Sequence, residues 1–395
     1  MTKLEIKKYG ITRNTILLTL ASFFGDISTE MLYPVLPIFL TQNLKVGGSI
    51  IGIIEGVAEA TKNIIQGFSG ALSDKIQKRK SIALAGFILS ALAKPLIGVA
   101  TVWQGVLAGR FFDRLGAGVR SAPRDALIAS SVDEKDRGKA FGLEGIGDNL
   151  GAFLGPLIAV LLLFYFHVNI RYIFYLAVIP GLLAVLMIVL VKEKAVLVKS
   201  KSKIDIRFNQ FPRRYWNYLL VVAIFGIGNS SNSFLILQTK NLGVPFWMTI
   251  LIYAFYNLVS ALISYPSGSW SDKFGRKPLL LISFLIFIIS YIGFATIHNI
   301  VLIGALFIFY GLYQGIFRSV GKSFATDFVP QELRASAVGW YSTTVGVSSL
   351  VASVVAGRLW DTVSHSSVFL FGAFFAVIGI VALLIFIPNK NIETA

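Results

Sequence analysis

The chain is 395 residues long, 55% hydrophobic and only 14% charged, with 36 Lys and Arg against 20 Asp and Glu and no cysteine. A soluble domain carries about 25% charged residues to cover its surface, so a water-soluble fold is excluded; without Cys there is no disulfide, thiol chemistry or Cys-bound metal. The net charge of +16 would point to nucleic acid in a soluble protein. Here the cations are scattered over many short segments mixed with acids, which argues against a nucleic-acid partner.

A helix that crosses a hydrocarbon core of about 30 Å needs about 20 residues. Stretches of that kind run at 14–40, 49–71, 81–101, 103–123, 138–165, 171–191, 215–239, 246–268, 278–297, 300–321, 335–358 and 366–388. They are apolar on nearly all sides, unlike the one-sided stripe of a soluble helix. The prediction is an all-α membrane protein of twelve transmembrane helices in two six-helix bundles, 1–191 and 215–395, joined by the basic linker 192–214. Residues 1–25 do not read as a cleaved signal peptide, because the apolar run continues past Asp26 and Glu30.

Orientation follows from the cations. With the N-terminus inside, 28 of the 36 Lys and Arg fall in inner segments and only Lys45, Arg171, Lys240 and Arg358 in outer loops. That asymmetry places both termini and the linker on the cytoplasmic side, and the expected location is the cytoplasmic (inner) membrane. The lipid bilayer is the one partner this composition requires; the chain is expected to act as a monomer.

The halves repeat. GALSDKIQKRK (70–80) returns as GSWSDKFGRKP (268–278), and RGKAFG (137–142) as RASAVG (334–339). A direct repeat of six helices places a substrate site between the halves near the midplane, reached alternately from each side as they rock.

These residues resemble the major facilitator superfamily. Gly70, Leu72, Asp74, Lys75, Lys78, Arg79 and Lys80 are similar to its cytoplasmic loop signature, with Gln77 where a Gly is usual; Gly268, Asp272, Lys273, Gly275, Arg276 and Lys277 are similar to the second copy. An Asp that ends a helix is unfavourable beside the negative end of the helix dipole unless it is partnered. Asp74 and Asp272 are therefore read as latches onto helix ends across the inner gate. In the fifth span, Gly142, Gly151, Gly155 and Pro156 are similar to the pattern of the antiporter branch, which implies an exporter. In the fourth span Arg110, Asp113, Arg114, Gly116 and Gly118 resemble the superfamily's basic motif there.

Ionisable residues inside the spans carry the sharpest signal. At 1.5 Å per residue, Asp26 and Glu59 lie near mid-depth, with Glu30 and Glu55 about one turn outward. Asp148 and Arg114 are close to the same level, and Glu144, Lys62, Arg110 and Asp113 lie within about two turns. All belong to the first half, whereas helices seven to twelve offer only polar groups such as Asn229, Asn232 and Asn257. A charge at the bilayer centre costs about 2.5–3.5 kcal/mol or more, so each is a candidate functional residue. Asp26/Glu30 and Glu55/Glu59 are i,i+4 pairs on one helix face, where like charges oppose each other's ionisation and favour taking up a proton. Seven acids against Lys62, Arg110 and Arg114 leave some acids without a counter-charge. Proton coupling is preferred over a static salt-bridge scaffold, with Asp26 leading, because the first helix of each half lines the cavity in the superfamily it resembles. Lys94 is expected to snorkel to the interface.

The reading is a secondary active transporter of a small organic solute, amphipathic or cationic, working by alternating access as a proton-coupled exporter with no cofactor beyond the proton gradient. A metabolite importer or facilitator is the alternative; a divalent-cation carrier is disfavoured because no His, Cys or Met cluster lies at mid-depth, and a non-transporting receptor stands last. No nucleophile–base pair or phosphate loop suggests an enzyme.

Overall fold

The computed structural model describes residues 11–76, 78–193 and 210–388. The chain ends and most of the linker 192–214, on which the topology expectation rests, lie outside the described residues. The helices are α1 (Arg13–Glu30), α2 (Leu36–Gln42), α3 (Gly48–Ile76), α4 (Arg79–Val99), α5 (Trp103–Ser130), α6 (Arg137–Val160), α7 (Ile170–Leu176) and α8 (Val178–Leu190) in the first half. The second half holds α9 (Arg213–Gly228), α10 (Ser233–Asn241), α11 (Phe246–Phe274), α12 (Arg276–Thr296), α13 (Ile300–Asp327), α14 (Arg334–Thr362) and α15 (His365–Phe386).

Among the described residues they make twelve crossings, since α1 with α2, α7 with α8, and α9 with α10 each form one broken span. Nine crossings are long and apolar enough to span a membrane by length and composition alone. The three that are not, α1–α2, α3 and α5, carry Asp26 and Glu30, Glu55 and Glu59, and Arg110, Asp113 and Arg114. Most of that polarity meets partners inside the protein, as for Glu30, Glu55, Glu59, Arg110, Asp113 and Arg114.

The breaks have local causes. Pro34 lacks an amide hydrogen, and Pro37 starts α2 where no hydrogen is needed. Between α9 and α10 the Asn-Ser-Ser-Asn run frees backbone amides that side chains recapture: Ser353 Oγ accepts from Ser231 N at 3.2 Å, and Ser231 Oγ from Ser233 N at 3.2 Å. Exposed backbone at membrane depth is tolerated only where it is satisfied in this way.

Small residues set the seams, because helices in lipid associate by close packing rather than by a hydrophobic drive. The longest seam joins the halves. Along α3 and α14, a Cβ on Gly48 would strike Trp360, one on Gly52 the carbonyl of Ser353, one on Gly56 the backbone of Leu350, and one on Gly67 the carbonyl of Gly339. A second contact joins α6 to α11. Toward the cation-poor end the halves close: Tyr33 stacks on Tyr253 with ring centroids 5.5 Å apart, and Phe164 meets Phe246 at 5.7 Å. Toward the cation-rich end Gly138, Gly142 and Gly145 of α6 and Gly268 of α11 face open space, and Arg318 and Lys322 on α13 are exposed. The packing of α6 and α11 thus loosens toward the cation-rich end, while α3 and α14 stay in contact there at Gly67 and Gly339.

Several helices run past their apolar stretches: α3 to Ile76, α5 to Ser130, α11 to Phe274 and α13 to Asp327. Arg124 and Lys322 therefore sit on helices and not in loops, beyond Arg120 and Arg318 within the stretches 103–123 and 300–321. The first half therefore holds more internal cations than the three counter-charges expected from the sequence.

Candidate functional site

One cluster is built from α3, α4 and α5. Arg110 is fully buried, and its Nε and Nη2 donate to the two oxygens of Glu55 at 3.0 and 2.9 Å. Its Nη1 donates to Asp113 at 3.4 Å, and Asp113 also accepts from Ser90 Oγ at 2.6 Å. Lys94 is 1% exposed and 3.6 Å from the same Asp113. The expectation that it snorkels is thereby corrected: a carboxylate inside α5 is nearer than the interface, and pairing removes the cost of burial. Arg114 completes the ladder, 3.8 Å from Glu59 and 3.9 Å from Asp113. A bidentate Arg–carboxylate pair fixes geometry as well as charge, so Glu55, Arg110 and Asp113 act as a strut that holds three helices in register.

A second cluster joins α1, α5 and α6 around Arg124. Its guanidinium lies 2.7 Å from Glu144, 3.0 Å from Asp125 and 3.6 Å from Asp148, and donates to Ser22 Oγ at 2.8 Å. Ser22 passes its own hydrogen to Glu144 at 3.1 Å. One turn earlier, Arg120 lies over the ring of Phe87 at 4.2 Å and fills the space that a side chain at Gly25 would take. Asp26 stands between these cations. It is half-buried, within electrostatic reach of Arg120, Arg124, Glu30 and Asp148, and it makes no hydrogen bond or ion pair with any described residue.

The line of glycines on α6 brings that helix onto α1. A Cβ at Gly147 would come 2.8 Å from Thr19 O, at Gly151 2.5 Å from Phe23 O, and at Gly155 2.9 Å from Ile27 O. Gly142 takes no part, since nothing lies within 4 Å of it. Pro156 sits inside α6, just before the π segment Leu161–Tyr165.

Across the divide the second half presents amides and phenols. Glu30 accepts from Tyr253 at 3.2 Å and from Asn257 at 3.4 Å, and Asn257 also donates to Ala152 O at 3.1 Å. Asn232 donates to Tyr256 at 3.1 Å and accepts from Tyr310 at 2.8 Å, while Asn229 donates to Tyr313 at 2.8 Å. Tyr33 bonds Ser231 at 3.2 Å and lies under the Arg110 guanidinium at 5.7 Å. Of the three Asn singled out in the sequence, Asn229 and Asn232 thus meet Tyr hydroxyls within the second half, while Asn257 reaches across to Glu30 and Ala152 of the first.

The loop motifs are held within their own halves in this conformation. The amide of Arg79 donates to Glu193 at 2.8 Å and Lys80 Nζ to Val189 O at 2.8 Å. Lys78 is exposed and Gly70 lies on the last turns of α3; the side chain of Asp74 is outside the described residues. Arg276 lies 3.7 Å from Asp272 and 2.8 Å from Asp327, and Gly275 adopts φ +91°, which only glycine takes without strain.

Sequence reasoning missed Tyr33, Tyr253, Tyr256, Arg120, Arg124 and Arg318. The tyrosines read as ordinary apolar filling. The arginines were masked by their place at apparent helix ends, although Arg120-Ser121-x-x-Arg124 returns at the same repeat spacing as Arg318-Ser319-x-x-Lys322.

Comparison with known proteins agrees with this architecture. The profile of the Major Facilitator Superfamily matches residues 18–263 and 218–395. An uncharacterized MFS-type transporter of Methanocaldococcus jannaschii is 34% identical over 381 residues, 95% of either chain. The multidrug resistance protein MdtG of Escherichia fergusonii is 26% identical over 303 residues, 73% of either chain. The crystal structure of the nucleoside transporter NupG superposes with a TM-score of 0.75 at 17% identity, covering 95% of this chain and 100% of that one. A polytopic chain whose two halves repeat and face each other across a polar divide, and whose sequence matches that profile from end to end, belongs to the major facilitator superfamily.

Proposed function

We propose that this transporter exchanges a small organic solute for protons and runs as an exporter, with its cation-rich end and both termini in the cytoplasm of a cell whose inner membrane it spans. The observation that carries the coupling is Asp26. A carboxylate at membrane depth with charged neighbours but no bonded partner is free to gain and lose a proton as the cavity changes sides, whereas Glu55 and Asp113 are locked by ion pairs. Export rests on the glycine line that seats α6 on α1 and on the likeness to a multidrug resistance protein. No cofactor is required and a monomer suffices, because both halves of the divide are in one chain.

The test begins with ligands found by thermal shift of the purified protein. Each is then loaded into proteoliposomes containing a pH-sensitive dye. Solute efflux that acidifies or alkalises the lumen against an imposed solute gradient supports coupling, and the sign gives the direction. Solute flux with no proton movement at any gradient overturns it. Proton-driven import is the second reading, favoured by one observation: Lys62 and Arg318 make no ion pair with a described residue and have only Glu59, shared with Arg114, close to both, and a solute anion that enters with a proton crosses without net charge.

A further inference from the structure

Lys62 stands at the middle of α3, half-buried, and Arg318 on α13 is exposed although it lies well inside a transmembrane helix. An exposed guanidinium at that depth faces either lipid or water. Arg318 is within electrostatic reach of Glu59 and Lys62 in the opposite half and of Tyr256 in its own, so it points into the space between the halves. Neither cation makes an ion pair or hydrogen bond with a described residue. One carboxylate, Glu59, faces three cations, lying 3.8 Å from Arg114 and within electrostatic reach of Lys62 and Arg318, and Glu30 is held by Tyr253 and Asn257, so positive charge is in excess there.

Two cations, one from each half, that share a single carboxylate with Arg114 leave an excess of positive charge that is costly in a low-dielectric space. They also repel each other when the opening at the cation-rich end narrows. The cost is lifted by an anion that arrives from the open side and sits between them. We propose that Lys62 and Arg318 form a two-sided clamp for the acidic head of an organic anion, a carboxylate-bearing solute whose body lies against the tyrosines and asparagines of α10, α11 and α13. Guanidinium presents a planar fork that matches a carboxylate, and ammonium a point charge. Because the ligand bridges the halves, occupancy and closure of the cation-rich end are one event. The clamp rests on the transporter reading but not on the direction of transport.

The proposal replaces the cationic solute expected from the sequence. Of the acids that suggested a cation, Glu55, Asp113 and Glu144 are paired with buried Arg and Lys, and Asp26 is assigned to the proton, while Lys62 and Arg318 make no ion pair with a described residue.

The experiment uses the full-length protein and a panel of matched probes: benzoate with benzamide and benzamidine, and short dicarboxylates with the corresponding diamides and diamines, at constant ionic strength. Binding is read by thermal shift and by titration calorimetry on wild type, Lys62→Gln, Arg318→Gln and Arg318→Lys. The expected result is saturable binding of at least one carboxylate but not of its neutral or cationic counterpart. Either Gln variant weakens it at least tenfold while keeping the unliganded melting temperature, and Arg318→Lys recovers part of the loss. Binding of cationic probes alone, carboxylate binding unaffected by either Gln substitution, or no binding of any carboxylate overturns the clamp. Counterflow of whichever probe binds separates this failure from failure of transport: cation or neutral flux without anion flux sinks the clamp and leaves the transporter standing.

Discussion

The carboxylate of Asp361, at the end of α14, accepts hydrogen bonds from the first two amides of α3, Gly48 N at 2.7 Å and Ser49 N at 2.8 Å. The second half therefore caps a helix of the first. Opening amides of a helix have no partner within it, and the positive end of the helix dipole favours an anion there. This bond exists only while the cation-poor end is closed, so it biases the equilibrium toward the conformation described. Loss of such a cap costs about 0.5–2 kcal/mol, or about 2- to 30-fold in the ratio of closed to open states. Asp361→Ala should accordingly speed modification of a cysteine at position 234, buried beneath Trp360, by an impermeant reagent from that side. An unchanged rate removes the latch.

The opposite closure is expected to depend on Asp74 and Asp272. Here Asp272 keeps to Arg276 within its own half, as it should while the cation-rich end is open. Asp74→Asn is expected to slow transport severalfold and leave equilibrium ligand binding intact. Both are measured on one preparation; unchanged transport, or equal loss of both, defeats the gating role.

The buried strut makes a stability prediction. Removing one partner of a buried ion pair leaves an uncompensated charge and costs about 3–5 kcal/mol, while replacing both is often nearly neutral. Glu55→Gln and Arg110→Met should each lower the unfolding temperature in detergent by many degrees, and the double variant should recover most of the loss. Additive losses in the double variant contradict a strut made by this pair.

Orientation rests on the cation asymmetry. With no native cysteine, a single cysteine at position 200 of the linker should resist an impermeant maleimide in intact cells and react after permeabilisation. Reaction in intact cells inverts the topology.

How far the sequence could be read follows from what each signal measures. Hydropathy marks nine of the crossings cleanly, because the requirement for about 20 apolar residues is imposed by the bilayer and not by the fold; α1–α2, α3 and α5, diluted by their charged residues, stand out less. It fell short at the ends of α5 and α13, where Arg124 and Lys322 look like loop cations although the helix continues. Lys94 was misplaced for the same reason: one-dimensional depth cannot show that Asp113 of α5 lies 3.6 Å away. The acids themselves were legible, since a buried charge stands out in an apolar run. Which acids are spent on pairs and which stand open was not, because pairing depends on helix rotation. Glycine spacing singled out Gly151 and Gly155, but neither that α1 is the helix they admit nor that Gly142 lies outside the contact could be read from it.

The central claim is that Asp26 carries the coupling proton, and Asp26→Asn tests it most directly. The substitution keeps size and much of the hydrogen bonding but removes titration. Reconstituted in proteoliposomes with a pH gradient as the sole driving force, Asp26→Asn should lose accumulation of solute and retain downhill exchange. Glu59→Gln and Asp148→Asn belong beside it, because neighbouring carboxylates titrate as a set. If all three neutral variants still concentrate solute against its gradient, the first-half acids are a scaffold and proton coupling through them is wrong.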